Sequence, residues 1–381
     1  MRLKKTMAVA GLILLAVGMQ GCREDDVIYI PDTVVTGDPE FTSVSGFYLL
    51  NEGNMGSNKA SLDYYDYGRA TYFRDIYASA NPDVPKELGD VGNHLGIYGS
   101  KLWAVINCSN KVEVMRASDA RRIGQVNIPN CRYIVFDGGY AYVTSYAGPV
   151  QIGPEHAQLG YVARIDTATL QETGRVITGY QPDGMAIADG KLYIANSGGY
   201  MVPNYENTLS VIDLNTFRET ERVEIAINLH RVVSDRYGQL WITSRGDYYG
   251  TEPSLTCYDT RKRRITARLP LGVSDYSLCG DSLYYVSTQW SYETMRNEVE
   301  YGIVDVRLRE KVSDGFITDG TESRIKLPYG VAVNPVSRDI FVTDARNYVN
   351  PGWLHCYSPE GVLRWSVRTG DIPAHIVFTG R

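Results

Sequence analysis

Residues 184–195 read Gly-Met-Ala-Ile-Ala-Asp-Gly-Lys-Leu-Tyr-Ile-Ala, and this stretch predicts a tight β-hairpin. Asp189 and Gly190 favour the left-handed backbone of a two-residue hairpin turn. Two further apolar stretches follow, and the last of them alternates charged with apolar residues, as a solvent-exposed edge strand does. The segment therefore predicts a four-stranded antiparallel unit with strands at 184–187, 192–195, 209–213 and 221–225.

The second strand of this unit recurs along the chain. Its pattern of a polar residue, an apolar residue, an aromatic residue and another apolar residue places aromatic anchors at Tyr48, Trp103, Tyr142, Tyr193, Trp241, Tyr284 and Phe341. The anchors are separated by about 49 residues on average, which is typical of four-stranded propeller blades. The repeat predicts an all-β, seven-bladed β-propeller.

The first unit lacks an innermost strand, because its anchor Tyr48 comes almost directly after a polar N-terminal region. Residues 373–378 are similar in pattern to residues 182–187, and no second strand follows them. We therefore predict that the C-terminal strand completes the first blade and closes the ring. The predicted propeller domain spans residues 43–381.

Composition narrows the class of protein. The chain has 381 residues, 44% of them hydrophobic and 22% charged, which excludes an intrinsically disordered protein. Its formal net charge is −6, and the largest basic cluster is only four residues long (261–264). A nucleic-acid-binding protein would carry an extended basic surface, so this class is disfavoured.

The N-terminus has the pattern of a secretory signal. Three basic residues precede an apolar run at 7–19 that is too short to span a membrane, and Gly21 and Cys22 follow. We predict a signal peptide at 1–21, lipidation (palmitate) of Cys22, and an acidic flexible tether at 22–42. Gly21 and Cys22 resemble a bacterial lipobox, whose cysteine is acylated, and several acyl chains on one residue give a stable anchor. The acidic residues 24–26 resemble the export signal of the surface lipoproteins of Bacteroidota, and these resemblances imply an outer-membrane lipoprotein exposed at the cell surface.

The other cysteines leave their pairing open. Without a Cys-x-x-Cys motif, zinc and redox sites are disfavoured. One or two disulfides are compatible with an oxidising compartment, and the candidates are Cys108, Cys131, Cys257, Cys279 and Cys356.

Two segments carry a family resemblance. Residues 47–54 with 60–66, and residues 105–114, resemble the first and second blades of the YncE-like propeller lipoproteins of Bacteroidota. This group includes the BtuG-type cobalamin-binding proteins. The resemblance implies a non-enzymatic surface protein that captures cobalamin (vitamin B12) and related corrinoids and passes them to a TonB-dependent outer-membrane transporter, with cobalamin as ligand and no catalytic cofactor.

The predicted loops between second and third strands are long and rich in aromatic residues. They lie at 51–59, 145–159, 196–207, 244–253, 288–298 and 344–351. Tyrosine and tryptophan offer wide contact area at low entropic cost, together with a hydrogen-bonding group. Packing between blades is the alternative role of each one. The candidate ligand-binding residues are Tyr146, Tyr200, Tyr205, Arg245, Tyr248, Tyr249, Trp290, Tyr292 and Tyr348.

A second set of candidates lies at the starts of the innermost strands, where they would surround the mouth of the channel. These residues are His94, Arg132, Asp183, His230, Arg231, Asp275 and Tyr329. A polar lining is ordinary in propeller channels, so each could be structural. The two histidines lack the paired spacing of a metal site, and no metal is predicted.

Two other functions stay open. Propeller lactonases and hydrolases assemble their sites from scattered residues, and carboxylates for such a site could come from Glu52, Asp183, Asp275 and Asp344. No serine-nucleophile, phosphate-loop or metalloprotease motif occurs. The remaining alternative is a protein that binds a different ligand or acts as a scaffold, with the aromatic loops as a protein interface.

Overall fold

Seven antiparallel sheets follow one another along the chain in the computed structural model, which describes residues 30–85, 87–291 and 294–380. Residues Asp32–Arg381 form one structural unit. Sheets 2 to 7 each have four strands that are consecutive in sequence, and each packs face to face with the next. This arrangement confirms the predicted all-β, seven-bladed propeller.

The first four blades contain sixteen of the strands and the closing strand. Blade 1 contains β1 (Thr33–Val35), β2 (Val44–Asn51), β3 (Ser61–Asp66), β4 (Thr71–Phe73) and β29 (Pro373–Gly380). Blade 2 contains β5 (Gly92–Tyr98), β6 (Lys101–Ile106), β7 (Lys111–Arg116) and β8 (Arg122–Asn127). Blade 3 contains β9 (Cys131–Asp137), β10 (Tyr140–Ser145), β11 (Leu159–Asp166) and β12 (Glu172–Tyr180). Blade 4 contains β13 (Pro182–Ala188), β14 (Lys191–Asn196), β15 (Thr208–Asp213) and β16 (Arg218–Glu224).

The last three blades follow the same order. Blade 5 contains β17 (Leu229–Ser234), β18 (Gln239–Ser244), β19 (Ser254–Asp259) and β20 (Arg264–Leu269). Blade 6 contains β21 (Asp275–Cys279), β22 (Ser282–Ser291), β23 (Arg296–Asp305) and β24 (Glu310–Ser313). Blade 7 contains β25 (Pro328–Val333), β26 (Ile340–Asp344), β27 (Pro351–Tyr357) and β28 (Leu363–Asp371). One short helix, α1 (Ile76–Ala80), and two 3₁₀ turns (Pro154–His156 and Thr321–Arg324) lie between strands.

The C-terminal strand β29 closes the ring as predicted. It pairs antiparallel with β2, with Tyr48 opposite Val377 and Leu50 opposite His375, and so supplies the innermost strand of blade 1. Successive side chains of β29 point to opposite sides. Val377 packs with the core between blades 1 and 2, whereas Ile376 and Phe378 pack with the core between blades 1 and 7.

The folded domain begins earlier than the predicted boundary at residue 43. Strand β1 pairs with β4, with Thr33 opposite Phe73, and adds a fifth strand to the outer edge of blade 1. The sequence surrounding this three-residue strand is polar and contains proline and glycine, which favoured a flexible tether over 22–42. The predicted signal peptide at 1–21 and lipidated Cys22 lie outside the described residues.

The aromatic anchors of the repeat fill the interfaces between blades. Six of the seven are buried, and Tyr284 is half-buried. Trp103 of blade 2, for example, packs with apolar residues of β9, β10 and β11 in blade 3. The period of two along each strand puts apolar residues on both faces of a blade, because both faces meet a neighbour.

Steric crowding explains why the innermost strands contain small residues. A Cβ atom on Gly184 would lie 2.6 Å from the backbone oxygen of His230 in the next blade. The innermost strands approach one another closely around the central channel, so a larger residue here would force neighbouring blades apart. This close approach also brings the polar residues beside Gly184 together at the channel.

The five described cysteines are all free, so none of the disulfide pairings that the sequence left open is formed. Four of the five are buried, and burial raises the pKa of the Cys131 thiol to about 12, which makes it unreactive. Within the described ranges, no helix has the length and apolar character needed to cross a membrane.

Candidate ligand-binding site

A cavity of about 650 Å³ opens at the end of the propeller where the innermost strands begin. We call it the entry cavity. Its polar lining consists mainly of Glu52, Asn93, Arg132, Tyr133, His230, Arg231, Arg245, Gln289, Tyr329 and His375. A second cavity of about 470 Å³ lies at the opposite end of the channel and shares only Tyr133, Arg231 and His375 with the first. These three side chains therefore form the constriction between the two cavities.

Asp183 joins two arginines at one side of the entry cavity. Its carboxylate is fully buried, accepts a hydrogen bond of 2.6 Å from the Tyr146 hydroxyl, and lies 3.3 Å from Arg132 Nε. Its other oxygen is 3.6 Å from Arg245 Nη1. The Arg132 guanidinium also stacks 4.9 Å above the Tyr146 ring. One carboxylate thus holds two guanidinium groups in place.

A second ion pair crosses the constriction. Arg231 Nη1 donates to Asp275 Oδ1 at 3.0 Å, and the other oxygen of Asp275 accepts the backbone N–H of Val331. The residues come from blades 5, 6 and 7, so this pair also ties consecutive innermost strands together. Arg231 lies 5.9 Å from the centre of the Tyr133 ring.

Glu52 is a carboxyl group that lines the entry cavity itself. It accepts a 2.8 Å hydrogen bond from the Tyr329 hydroxyl, and its other oxygen lies 3.3 Å from His375 Nε2. Burial raises the pKa of Glu52 to about 7, although the Tyr329 hydrogen bond and the charges of Arg231 and Arg132 oppose the rise. Near neutral pH this carboxyl is therefore divided between its charged and uncharged forms.

The channel histidines are neutral. Burial lowers the pKa of His94 and His230 well below the ordinary value. His375 and Arg231 lower the pKa of His94 further, and the neighbouring arginines do the same for His230. The same causes lower the pKa of His375 to about 3. The Tyr133 hydroxyl and His230 Nε2 are 2.8 Å apart and share a hydrogen bond. Positive charge in the entry cavity consequently comes from arginine alone.

Four exposed aromatic side chains surround the opening, and we call them the rim: Tyr248, Tyr249, Trp290 and Tyr348. Between 42% and 85% of each is accessible to solvent. Tyr348 also makes an edge-on contact with Tyr329, at 5.9 Å between ring centres. Large exposed aromatic groups beside a cavity are typical of binding surfaces.

The loop that carries two rim tyrosines is held by an aspartate. Asp247 Oδ1 accepts the backbone N–H groups of Thr251, Tyr249 and Gly250, and these bonds lower the pKa of Asp247 to about 2. Such a side-chain cap fixes the turn without help from a ligand.

The structure divides the described sequence candidates into four groups. The entry cavity is lined by Arg132, His230, Arg231, Arg245, Tyr248, Tyr249, Trp290, Tyr329 and Tyr348. His94 and Asp275 line the opposite cavity instead. Asp183 and Tyr146 are buried behind the arginines, whereas Tyr200 and Tyr205 lie away from either cavity lining. Tyr292 lies outside the described residues.

One predicted loop is a hairpin. Residues 288–298 were expected to form a long connection, but β22 and β23 continue through most of this range, with Gln289 opposite Glu298 and Trp290 opposite Asn297. The ladder between β22 and β23 continues without a register shift to Ser291 and Arg296, so the sheet extends beyond the body of the blade.

Sequence reasoning missed several lining residues, and three of them are central to the site. Tyr133 and His375 form the constriction, and Glu52 was considered only as a carboxylate for catalysis. A signal existed for His375, because the match of residues 373–378 to 182–187 aligns it with Gly184 at the channel. His375 is buried because β29 pairs with β2, and the sequence pattern predicted this pairing without showing which side chains it would bury.

The described residues contain no group of three or more histidine, cysteine, aspartate or glutamate side chains that could hold a metal ion. The side chains of the entry cavity offer hydrogen bonds and charged groups at its inner end and aromatic surface at its opening.

Comparison with known protein families places the chain in one of them. Residues 45–372 match the family described as "Domain of unknown function (DUF5074)". No curated protein matches the sequence.

Solved structures share the fold at low identity. A quinoprotein alcohol dehydrogenase-like protein from Bacteroides thetaiotaomicron is 13% identical, with a TM-score of 0.62 over 89% of this chain and 79% of that one. A hypothetical selenium-binding protein from Sulfolobus tokodaii is 12% identical, with a TM-score of 0.59 over 90% and 95%. Apo AztD from Citrobacter koseri is 11% identical, with a TM-score of 0.50 over 88% and 99%. At this identity the likeness concerns the fold.

Proposed function

The chain belongs to the DUF5074 family, and we propose that it is a non-enzymatic, surface-exposed outer-membrane lipoprotein that captures cobalamin or a related corrinoid. In this proposal the predicted lipid on Cys22 anchors the protein, and the bound corrinoid passes to a TonB-dependent outer-membrane transporter. The proposal joins the family resemblance of the sequence to the geometry of the entry cavity.

One observation carries the proposal: four exposed aromatic residues surround a cavity whose inner end is polar and charged. A corrinoid is a broad ring with apolar faces and amide groups at its edge. The rim offers flat apolar surface for the ring, and Gln289, Asn93 and the arginines offer hydrogen bonds to amides. A bulky ligand with both apolar and polar parts suits a cavity with an aromatic rim and a polar inner end better than a small polar ligand does.

The rim is ordered before any ligand binds, which favours tight capture. Tyr248 and Tyr249 sit on the turn capped by Asp247, and Trp290 sits on strand β22, which is paired with β23 up to the hairpin tip. Ordering loops on binding costs free energy, so side chains held by the scaffold retain more of their contact energy.

The same end of the propeller carries a ring of exposed apolar side chains that supports a transporter partner. Besides the rim, loops of blades 1, 3, 4, 6 and 7 present Met55, Ile152, Val202, Met295 and Val349, which are 37% to 82% exposed. Apolar and aromatic side chains that are exposed together on one surface are typical of protein interfaces. A partner seated on this ring would cover the mouth of the cavity and receive its contents directly.

The test is calorimetry of the purified protein with cyanocobalamin, using haem and a glycan panel as controls. We expect nanomolar or tighter binding of cobalamin, and we expect the triple variant Tyr248→Ala, Tyr249→Ala and Trp290→Ala to weaken it by at least about 100-fold, because central aromatic residues dominate binding energy. Tyr237→Ala removes an exposed tyrosine elsewhere on the surface and should leave the affinity for cobalamin unchanged. Absence of cobalamin binding by the unaltered protein would overturn the corrinoid assignment.

Asp247 offers a test of preorganisation. Asp247→Ala removes three hydrogen bonds that hold the turn but leaves every aromatic residue in place. We expect affinity for cobalamin to fall by about 3- to 10-fold, through the added cost of ordering the turn. Asp166→Ala, which removes a similar turn cap in the hairpin between β11 and β12, is the matched control. Equal affinities of the Asp247 variant and the unaltered protein would mean that the turn does not contribute.

A further inference from the structure

Three arginine side chains converge on the inner end of the entry cavity. Arg132 and Arg231 lie near the starts of the innermost strands of blades 3 and 5, and Arg245 directly follows β18. The charges of all three act on the same buried neighbour, His230, and each of them helps to keep that imidazole neutral. The three guanidinium groups are therefore close enough in space to act on one group.

The carboxylates beside these arginines do not balance them one to one. Asp183 serves both Arg132 and Arg245, while Asp275 serves Arg231. Two further carboxyl groups line the cavity: Glu52, which contacts the neutral Tyr329 hydroxyl and His375, and the exposed Glu252. Neither forms an ion pair with the three arginines, so two carboxylates serve three guanidinium groups.

The arginines also have unused donors. A guanidinium carries five N–H groups. Arg231 Nε is buried and has no hydrogen-bond partner among the described residues. Arg245 reaches Asp183 only at 3.6 Å, and its side chain is 35% exposed toward the cavity that it lines. Forked guanidinium donors with free N–H groups are the groups that recognise phosphate and carboxylate in proteins.

We propose that the inner end of the entry cavity is an anion-binding subsite in which Arg132, Arg231 and Arg245 hold a phosphate or carboxylate group of the captured molecule. The identification of that molecule rests on the proposed function, but the subsite itself does not. The convergence of three guanidinium groups, the single carboxylate shared by Arg132 and Arg245, and the partly exposed Arg245 at the open cavity carry the inference.

The first test titrates the purified full chain with sulfate and, separately, with acetate, following affinity by calorimetry. Sulfate represents a tetrahedral oxyanion and acetate a planar one. Arg245→Gln is the variant of choice, because Asp183 keeps Arg132 as its partner and the fold should survive. We expect sulfate affinity to fall about tenfold, since a charge-assisted contact is lost. Arg222→Gln alters an exposed arginine paired with Glu219 on β16 and should bind sulfate like the unaltered chain.

The second test uses Glu52, which faces the subsite. Charged and titratable groups around it are Tyr329, Tyr348, His375, Arg132 and Arg231. Between pH 6 and 8 the arginines stay charged, and the tyrosines and His375 stay neutral, so ionisation of Glu52 adds the one new charge in this group. Sulfate keeps its charge over this range. We expect sulfate affinity to decrease several-fold from pH 6 to pH 8, and Glu52→Gln to remove most of that decrease.

The outcomes separate the two proposals. Sulfate affinity that is the same in the unaltered chain and in Arg245→Gln overturns the subsite, even if cobalamin binds. Sulfate binding that Arg245→Gln weakens, in a chain that ignores cobalamin, supports the subsite and rejects the corrinoid. Stronger binding of sulfate than of acetate supports a phosphate group on the captured molecule, and the reverse order supports a carboxylate.

Discussion

A chain that ends at residue 372 is expected to lose its cooperative fold. The deletion removes β29, which supplies the innermost strand of blade 1 and contacts the innermost strands of both neighbouring blades, β5 and β25. It leaves β2 without its ladder partner and opens the ring between blades 7 and 2.

The lost interactions are comparable with the whole stability of a domain. Each hydrogen bond of the ladder between β2 and β29 contributes about 1 kcal/mol net. The partly buried side chains of Ile376, Val377 and Phe378 add about 1 to 2 kcal/mol each. The free energy of unfolding of a single domain is only about 5 to 15 kcal/mol, so removal of the strand is expected to abolish most of it.

Thermal unfolding followed by circular dichroism measures the effect. The truncated chain should show no sharp transition, whereas addition of a synthetic peptide with the sequence of residues 373–381 should restore one. A cooperative transition at the same temperature in the truncated chain and in the full chain would show that ring closure does not stabilise this propeller.

Substitution of Asp183 by asparagine is expected to cause the largest loss of stability among single changes at the site. The side chain is fully buried, and it compensates the charges of Arg132 and Arg245. Asparagine keeps the shape and can still accept the Tyr146 hydrogen bond, but it leaves two guanidinium groups beside a neutral amide. Breaking a buried pair costs about 3 to 5 kcal/mol, and partial solvent contact of the arginines reduces this to about 2 to 3 kcal/mol.

Urea denaturation gives the free energy of unfolding for this comparison. Asp137→Asn, at an exposed aspartate at the far end of β9, should leave stability unchanged. Added sulfate should stabilise the Asp183→Asn protein more than the unaltered one, because an anion can replace the missing charge and binding to the native state raises stability. If Asp183→Asn matches the unaltered protein in urea, the two arginines do not depend on this carboxylate.

The propeller could be predicted because its information is local and repeated. Asp189 and Gly190 define a turn within a few residues, and the aromatic anchors recur once per blade, so each unit can be recognised without knowledge of its neighbours. Closure was also predictable, since residues 373–378 match another innermost strand. The short strand β1 was not, because three residues within a polar segment carry no periodic signal.

The residues of the site were predictable in kind, but their partnerships were not. The sequence placed Arg132, Asp183 and Arg231 near the channel because each lies at the start of an innermost strand. It could not show that Asp183 serves two arginines or that Asp275 belongs to the opposite cavity, since these contacts join blades that are far apart in sequence.

The sequence by itself determined the repeating unit, the number of blades and the chemical character of the loops. Only the tertiary structure decided which side chains share the entry cavity, because Glu52, Arg132, Arg245 and His375 come from distant parts of the chain, in blades 1, 3 and 5, and meet only when the ring is closed. The same closure decided their charges. Burial in the channel raises the pKa of Glu52 and lowers that of His375, and burial is a property of the assembled ring.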